Sequence, residues 1–403
     1  MIRYFIKFMF VCFMCVSSTA FASEDVRAVT LTWTGDVNTT QTISWQTTEE
    51  SDCYLAYREL DQSLDQSVNL KLIRAKTSKF VTDERVNFIH VVNLENLKPG
   101  TVYTYKIGKD NQWVKIGQFQ TATGQPNFKF LLFSDSQSYN YKVWQNTFEA
   151  AYLRNQEAKF YVVNGDLVDN GQKQKEWDDW FSAVENYANQ LPLVPVVGNH
   201  ETYTPYGKFS LPVYFTKQFE LPTNGPESLK KQVYSFDYGN VHFVVLDTQF
   251  GEERGFIPES LQLQKEWLAN DLARSDKKWK VVFMHRPIYH NRIKEQGFDL
   301  TARLAPVFDQ YGVDVVFTGH DHVVARTDKI KDGVVSVNGT VYVAVGRSGT
   351  KTYDTVDKKS WDIDFLNPVD QPVYDVVTMN EDYILIQIFR QNGEFIDQWQ
   401  ITK

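Results

Sequence analysis

A single break at Thr123-Gly124-Gln125-Pro126 divides the chain into two stretches whose apolar residues follow different periods. Upstream, short β-type runs succeed one another with no helical period between them: Ala28 to Trp33, Thr42 to Thr47, Cys53 to Arg58, Phe88 to Leu94, Thr101 to Gly108 and Val114 to Gln120. Ile43 and Trp45 share one side of their run, as do Tyr103, Tyr105 and Ile107 of theirs, which is the alternation of a strand with one buried face. Turns such as Lys98-Pro99-Gly100 and Lys109-Asp110-Asn111 separate the later runs. Six or seven strands in about 95 residues predict an antiparallel sandwich.

Downstream, apolar runs alternate with helical stretches. The strand candidates are Phe128 to Phe133, Phe160 to Val163, Leu193 to Val197, Val241 to Leu246, Lys280 to Met284, Val313 to Phe317 and Val341 to Val345. Helical candidates are Tyr141 to Arg154, Gln172 to Ala188, Ser260 to Arg274 and Leu300 to Tyr311. Several strands are apolar throughout, as in sheets covered on both faces, and the alternation predicts an α/β domain. Tyr383 to Phe389 and Phe395 to Ile401 read as a closing hairpin around Gln391-Asn392-Gly393. The expected organisation is an all-β domain over 23–123 and an α/β domain over 124–403, in keeping with two to three domains of about 150 residues each.

Residues 1–22 carry Arg3 and Lys7, an apolar stretch from Phe8 to Val16, and Ala20-Phe21-Ala22 as a small-residue cleavage site. This is the pattern of a secretory signal peptide. No later run approaches the roughly 20 apolar residues that span a bilayer, so no membrane anchor is expected after its removal. Cleavage would take Cys12 and Cys15 and leave Cys53 as the only thiol, so an internal disulfide is not expected in the secreted or periplasmic product. The net charge of −8, without a long basic run, argues against nucleic acid as a structural partner.

Polar clusters close five of the downstream strands: FSDSQ at 133–137, NGDLVDNG at 164–171, GNHE at 198–201, MHRP at 284–287 and GHDH at 319–322. The carboxyl ends of strands in an α/β sheet converge on one rim, so these clusters are expected to face one crevice. Four of the seven histidines, His200, His285, His320 and His322, lie in them. Carboxylate, amide oxygen and imidazole donors suit a hard or borderline divalent or trivalent ion, and two such ions fit the ligand count better than one. Asp166 is the candidate carboxylate between them.

The ordered set D-x-Q, G-D, G-N-H-E, H and G-H-x-H resembles the calcineurin-like metallophosphoesterases from about Asn127 to Val345. YSFDYGNVHFVVLDT at 234–248 is most similar to the purple acid phosphatase branch, and LENLKPGTVYTYKIG at 94–108 resembles fibronectin type III modules and the N-terminal domain of those phosphatases. The resemblance implies a metallophosphoesterase sandwich of mixed β-sheets flanked by helices, preceded by a fibronectin type III-like sandwich. It implies Asp135, Asp166 and His322 around one ion, and Asp166, Asn199, His285 and His320 around the other. His200 is implied as general acid or phosphate contact. The implied activity is hydrolysis of small phosphate monoesters by metal-bound hydroxide, with a phosphodiesterase or nucleotidase as the rival in the same class.

The chain departs from the family twice. Gln137 stands where His or Gly is usual, and Asp169 stands where the purple branch places Tyr. Either could complete the first shell, with Gln137 ahead for its proximity to Asp135. Loss of the phenolate leaves manganese, zinc or mixed pairs as compatible as iron. On the loop after His285, His290 and Arg286 are candidate substrate contacts, with a solvent-facing role the alternative for Arg286. Helix capping is the structural alternative for Asp135 and Asp166. His90, His242, Cys53, Trp177 and Trp180 read as packing residues. A binding or adhesion module with an inert metal domain is the reading from another class.

Overall fold

The computed structural model describes residues 26–60, 70–109, 112–293 and 300–403. The expected signal segment at 1–22 and the turn residues Asp110 and Asn111 lie outside the described residues. Among the described residues, eight strands build the first region: β1 (Arg27–Thr32), β2 (Gln41–Thr47), β3 (Tyr54–Glu59), β4 (Lys71–Arg74), β5 (Lys76–Val81), β6 (Val86–Leu94), β7 (Val102–Lys109) and β8 (Gln112–Gln120). They form two antiparallel sheets ordered β1-β2-β6-β5 and β4-β3-β7-β8. Ile43 and Trp45 face Tyr103, Tyr105 and Ile107 in the core between them, as their alternation predicts. The polar strands β4 and β5 were not anticipated; they are largely exposed and carry little apolar pattern.

The second region holds strands β9 (Phe128–Phe133), β10 (Tyr161–Asn164), β11 (Leu193–Val196), β12 (Tyr234–Tyr238), β13 (Val241–Leu246), β14 (Trp279–Met284) and β15 (Val315–Thr318). It continues with β16 (Val324–Thr327), β17 (Ile330–Lys331), β18 (Val334–Val335), β19 (Val341–Val345), β20 (Asp362–Leu366), β21 (Val373–Met379), β22 (Tyr383–Arg390) and β23 (Phe395–Thr402). One sheet runs β11-β10-β9-β21-β22-β23 and the other β12-β13-β14-β15-β19-β16-β20. Both are mixed. The buried strand β21, absent from the sequence expectation, lies antiparallel to β9 and joins the closing hairpin to the sheet.

Alternation explains why these strands are apolar throughout. Phe243, Val245, Phe283 and Phe317 face the other sheet, where Phe130 meets Phe243 and Phe283 edge-on with centroids 5.8 and 6.0 Å away. Val244, Leu246, Val282 and Met284 point the opposite way, onto Leu268 and Leu272 of helix Ser260–Arg274 and Phe308 of helix Thr301–Tyr311. Each large apolar side chain so buried contributes about 1.5–3 kcal/mol. Helices Lys142–Arg154 and Gln174–Ala188 cover the six-stranded sheet through Trp144, Trp177 and Trp180, all fully buried, so the two tryptophans of the acidic helix are packing residues.

The sandwich docks on this body through residues of both sheets. Trp33 enters the α/β core beside Phe160, Phe236 and Tyr238, at 5.7, 5.8 and 6.0 Å. Around it, Arg85 pairs with Asp178 at 2.6 Å and Tyr105 donates its hydroxyl to the Asn189 carbonyl at 2.8 Å. Among the described residues no helix is long and apolar enough to cross a membrane.

Candidate metal centre

Strands β9, β10 and β11 are parallel to one another, as are β13, β14, β15 and β19, so their carboxyl ends share a rim. Asp135 and Gln137 follow β9, Asp166 follows β10, Asn199 and His200 follow β11, His285 follows β14, and His320 and His322 follow β15. Helix capping is not the role of the two aspartates, because the next helices begin at Lys142 and Gln174.

The backbone turns sharply where these side chains leave it. Asp135, Asp166, His320 and His322 all have left-handed φ, at 50°, 52°, 68° and 60°. That conformation costs a residue with a Cβ about 1–2 kcal/mol, and its recurrence at four of the expected ligands marks a rim shaped for something other than stability. Two glycines make the crowding feasible. A Cβ at Gly165 (φ 90°) would lie 2.3 Å from His285 Nδ1, and one at Gly198 would lie 2.2 Å from Asp166 Oδ1.

Two triads result, Asp135, Asp166, His322 and Asp166, His285, His320, each with its donor atoms within 4.8 Å of one another. Asp166 belongs to both. His322 Nε2 lies 3.0 Å from Asp135 Oδ1, and His285 Nε2 lies 3.1 Å from Asp166 Oδ2. Main-chain carbonyls orient the rings: His285 Nδ1 donates to Asn164 O at 2.9 Å, and His322 Nδ1 to Lys351 O at 2.8 Å. Their Nε2 atoms, His320 Nδ1, Asn199 Oδ1 and Gln137 Oε1 are buried without a hydrogen-bond partner. Stranding five polar atoms from four loops in one place is costly unless a cation takes them, and the nitrogen and oxygen donors suit the hard or borderline ions expected.

Electrostatics point the same way. Burial works against the charge of Asp166, but His285 and His200 outweigh it and hold the carboxyl well below its ordinary value. Burial lowers His285, yet Asp166 and Asp135 raise it to about 9, so the carboxylates of this site stabilise positive charge placed beside them. His320 is pushed well below its usual value by burial and by Arg286 and Arg292. Arg286 donates from one terminal nitrogen to His320 Nε2 at 3.0 Å, and the other pairs with Glu252 at 2.5 Å. A neutral ring accepting at Nε2 carries its proton on Nδ1, so use of Nδ1 as a ligand requires Arg286 to release this contact.

Gln137 is buried in the cluster, its Nε2 3.3 Å from Asp166 Oδ2, whereas Asp169 is half-exposed and turned to His200 Nδ1 (3.3 Å) and Lys351 Nζ (3.0 Å). His200 Nδ1 also meets the Asp169 carbonyl at 2.6 Å, and its Nε2 lies 3.8 Å from Asp166 Oδ2. His290 and Arg286 line a cleft of about 580 Å³ with Asn199, His200 and His320. A second cleft of about 980 Å³ is lined by Gln137 and Asp169, and Lys351 lines both.

Three contributors escaped the sequence reading. Glu201, fully buried, accepts the amides of Asp166 (2.9 Å), Gly198 (2.7 Å) and Leu167 (2.8 Å), locking the loop that carries the shared aspartate. It stands in GNHE beside His200, so its position was visible although its role was not. Lys351 and Tyr353 come from the loop after β19, which has no polar signature of the His-Asp kind. Arg292 lies 4.1 Å over the Tyr353 ring, and that ring sits 4.4 Å from His322. The remaining histidines are structural. His90 is buried on Trp45, and His242 is held between Asp237 and Asp271 at 2.7 and 2.9 Å.

Comparison with known proteins agrees with this geometry. The calcineurin-like phosphoesterase family matches residues 128–324, and the purple acid phosphatase N-terminal domain matches residues 26–121. Purple acid phosphatase 15 of Arabidopsis thaliana is 25% identical over 293 residues, covering 65% of this chain and 54% of that protein. An uncharacterized protein of Mycobacterium tuberculosis is 28% identical over 324 residues, covering 68% and 60%. The chain thus spans little more than half the length of these relatives. The solved structure of purple acid phosphatase PPD1 from yellow lupin seeds superposes with a TM-score of 0.76 at 20% identity, covering 94% of this chain and 74% of that one. PhoD does so with a TM-score of 0.65 at 13% identity, covering 94% and 92%. With its two matched regions and its paired His/Asp clusters, the chain holds a calcineurin-like phosphoesterase domain over residues 128–324, preceded by a purple acid phosphatase N-terminal domain over residues 26–121.

Proposed function

We propose that the protein is an exported, metal-dependent phosphatase acting on small phosphate monoesters. The observation that carries this reading is the pair of buried triads sharing Asp166, ringed by unpartnered nitrogen and oxygen donors. Asp135, Gln137, Asp166 and His322 would hold one ion, and Asp166, Asn199, His285 and His320 the other. Bound there, such ions supply Lewis acidity toward a phosphoryl oxygen and acidify a water for attack near neutral pH.

The protein's own residues orient and protonate. The carbonyls of Asn164 and Lys351 fix which ring nitrogen of His285 and His322 faces the centre. His200 donates Nδ1–H to the Asp169 carbonyl, so Nε2 is the nitrogen that faces the leaving oxygen; it accepts from Lys351 when the ring is neutral and carries the proton to be delivered when the ring is an imidazolium. Two clefts that share Lys351 leave room for more than one substituent on a phosphoryl group, which favours a phosphodiester or nucleotide as the second reading. Export rests on the charged, apolar and small-residue sequence of 1–22.

Hydrolysis of an aryl phosphate monoester beside its diester, with and without chelator, tests the reading. Chelator-sensitive monoester turnover is expected, diester preference would favour the second reading, and no chelator-sensitive turnover of either would favour a binding module.

A further inference from the structure

We propose that Lys351 is a substrate-binding residue whose ammonium holds the phosphoryl group at the seam of the two clefts. This rests on the phosphatase reading and adds to it a residue outside the five polar clusters. Lys351 Nζ lies 3.0 Å from His200 Nε2 and 3.0 Å from Asp169 Oδ1, and its side chain lines both clefts. An ammonium has three N–H donors, and these two contacts leave a third for an anion. The other cations of this rim are engaged as well. Arg286 is held by Glu252, Gln249 and His320, and Arg292 by Asp321 and the His320 carbonyl.

Position strengthens the assignment. Lys351 Nζ is one hydrogen bond from the ring whose Nε2 lies 3.8 Å from the shared carboxylate of Asp166. Its main-chain carbonyl takes the His322 Nδ1 proton, so the backbone that orients a ligand also carries the cation. Side-chain substitution leaves that carbonyl in place, which separates a role in substrate binding from one in building the centre. Because a lone positive charge attracts a dianion more strongly than a monoanion, Lys351 favours monoesters over diesters.

The test titrates inorganic phosphate calorimetrically into the metal-loaded full chain, as wild type, Lys351→Met and Lys351→Arg, with metal content measured in each. Lys351→Met is expected to bind phosphate about tenfold more weakly at unchanged metal content, as for loss of one charge-assisted hydrogen bond, and Lys351→Arg to recover most of the affinity. KM for an aryl phosphate should rise by a similar factor while kcat changes less, and the rise should be larger for the monoester than for the diester. Unchanged phosphate affinity in Lys351→Met, or loss of metal from it, would overturn the proposal. Phosphate binding is read without turnover. Lysine-dependent binding by a protein that hydrolyses no ester would therefore sink the phosphatase reading alone, and hydrolysis with lysine-independent binding would sink this one alone.

Discussion

The sandwich and the α/β rim treat a buried histidine in opposite ways. In the sandwich, His90 meets Thr47 Oγ1 at Nε2 (2.8 Å) and Thr77 Oγ1 at Nδ1 (2.9 Å), and burial lowers its pKa to about 4. On the rim, His285 and His322 spend one nitrogen on a carbonyl and leave the other buried with no hydrogen bond, and His322 sits on left-handed backbone. An unsatisfied buried polar group costs about 1–3 kcal/mol. A fold accepts that cost where a ligand recovers it, so the contrast separates a histidine that stabilises from one that binds.

The predictions probe this contrast. The largest effect is expected for Asp166→Ala, which removes the carboxylate common to both triads. Metal content should fall to background by elemental analysis and aryl phosphate hydrolysis by about a thousandfold or more, whereas His90→Phe in the sandwich should leave metal content unchanged. Two ions per chain retained in Asp166→Ala would erase the distinction. Next, Glu201→Gln breaks the carboxylate lock on the Asp166 loop. Metal affinity, read by competition with a chromogenic chelator, should drop about 10- to 100-fold, the usual effect of losing a group that orients a ligand. Affinity equal to wild type would make Glu201 a packing residue.

The smallest effect distinguishes two strand histidines by pH. For His242, burial opposes the charge but Asp237 and Asp271 prevail and raise its pKa to about 9. Its stabilisation is therefore complete below the unfolded value of about 6.5 and is lost as pH rises through 9, amounting to about 3 kcal/mol. His90, lowered in the fold, gives the opposite slope, and stability falls as pH drops from about 6.5 toward 4. Urea unfolding of the wild type, His242→Phe and His90→Phe across pH 4–10 reads both. The His242 proposal fails if its variant keeps the wild-type loss above pH 7.

Much of the second region was legible in local pattern. Helix Ser260–Arg274 and strands Phe128–Phe133 and Val241–Leu246 were placed to the residue, because long amphipathic or uniformly apolar runs bounded by turns leave little ambiguity. Strand β21 was missed although fully enclosed. Its Asp375, buried with neither carboxylate oxygen hydrogen-bonded, interrupts the apolar run. Among the site residues, spacing brought His, Asp and Asn to strand ends, and the fold collects them on one rim. Glu201 stood in the same motif without declaring that it would grip backbone amides. Lys351 was invisible, since a lone lysine on a loop carries no periodicity, and only the path of the chain after β19 brings it to His200.

Sequence alone determined the kinds of donor present, their order at strand ends, and the division of the chain at Thr123–Pro126, because periodicity and chemical type are local properties. The tertiary structure decided which carboxylate is shared, which ring nitrogen is left open, that Gln137 rather than Asp169 enters the cluster, and that Arg286 is tied to Glu252. Those outcomes depend on separations of a few ångströms between residues tens to more than a hundred positions apart, and only the packing of two sheets sets such distances.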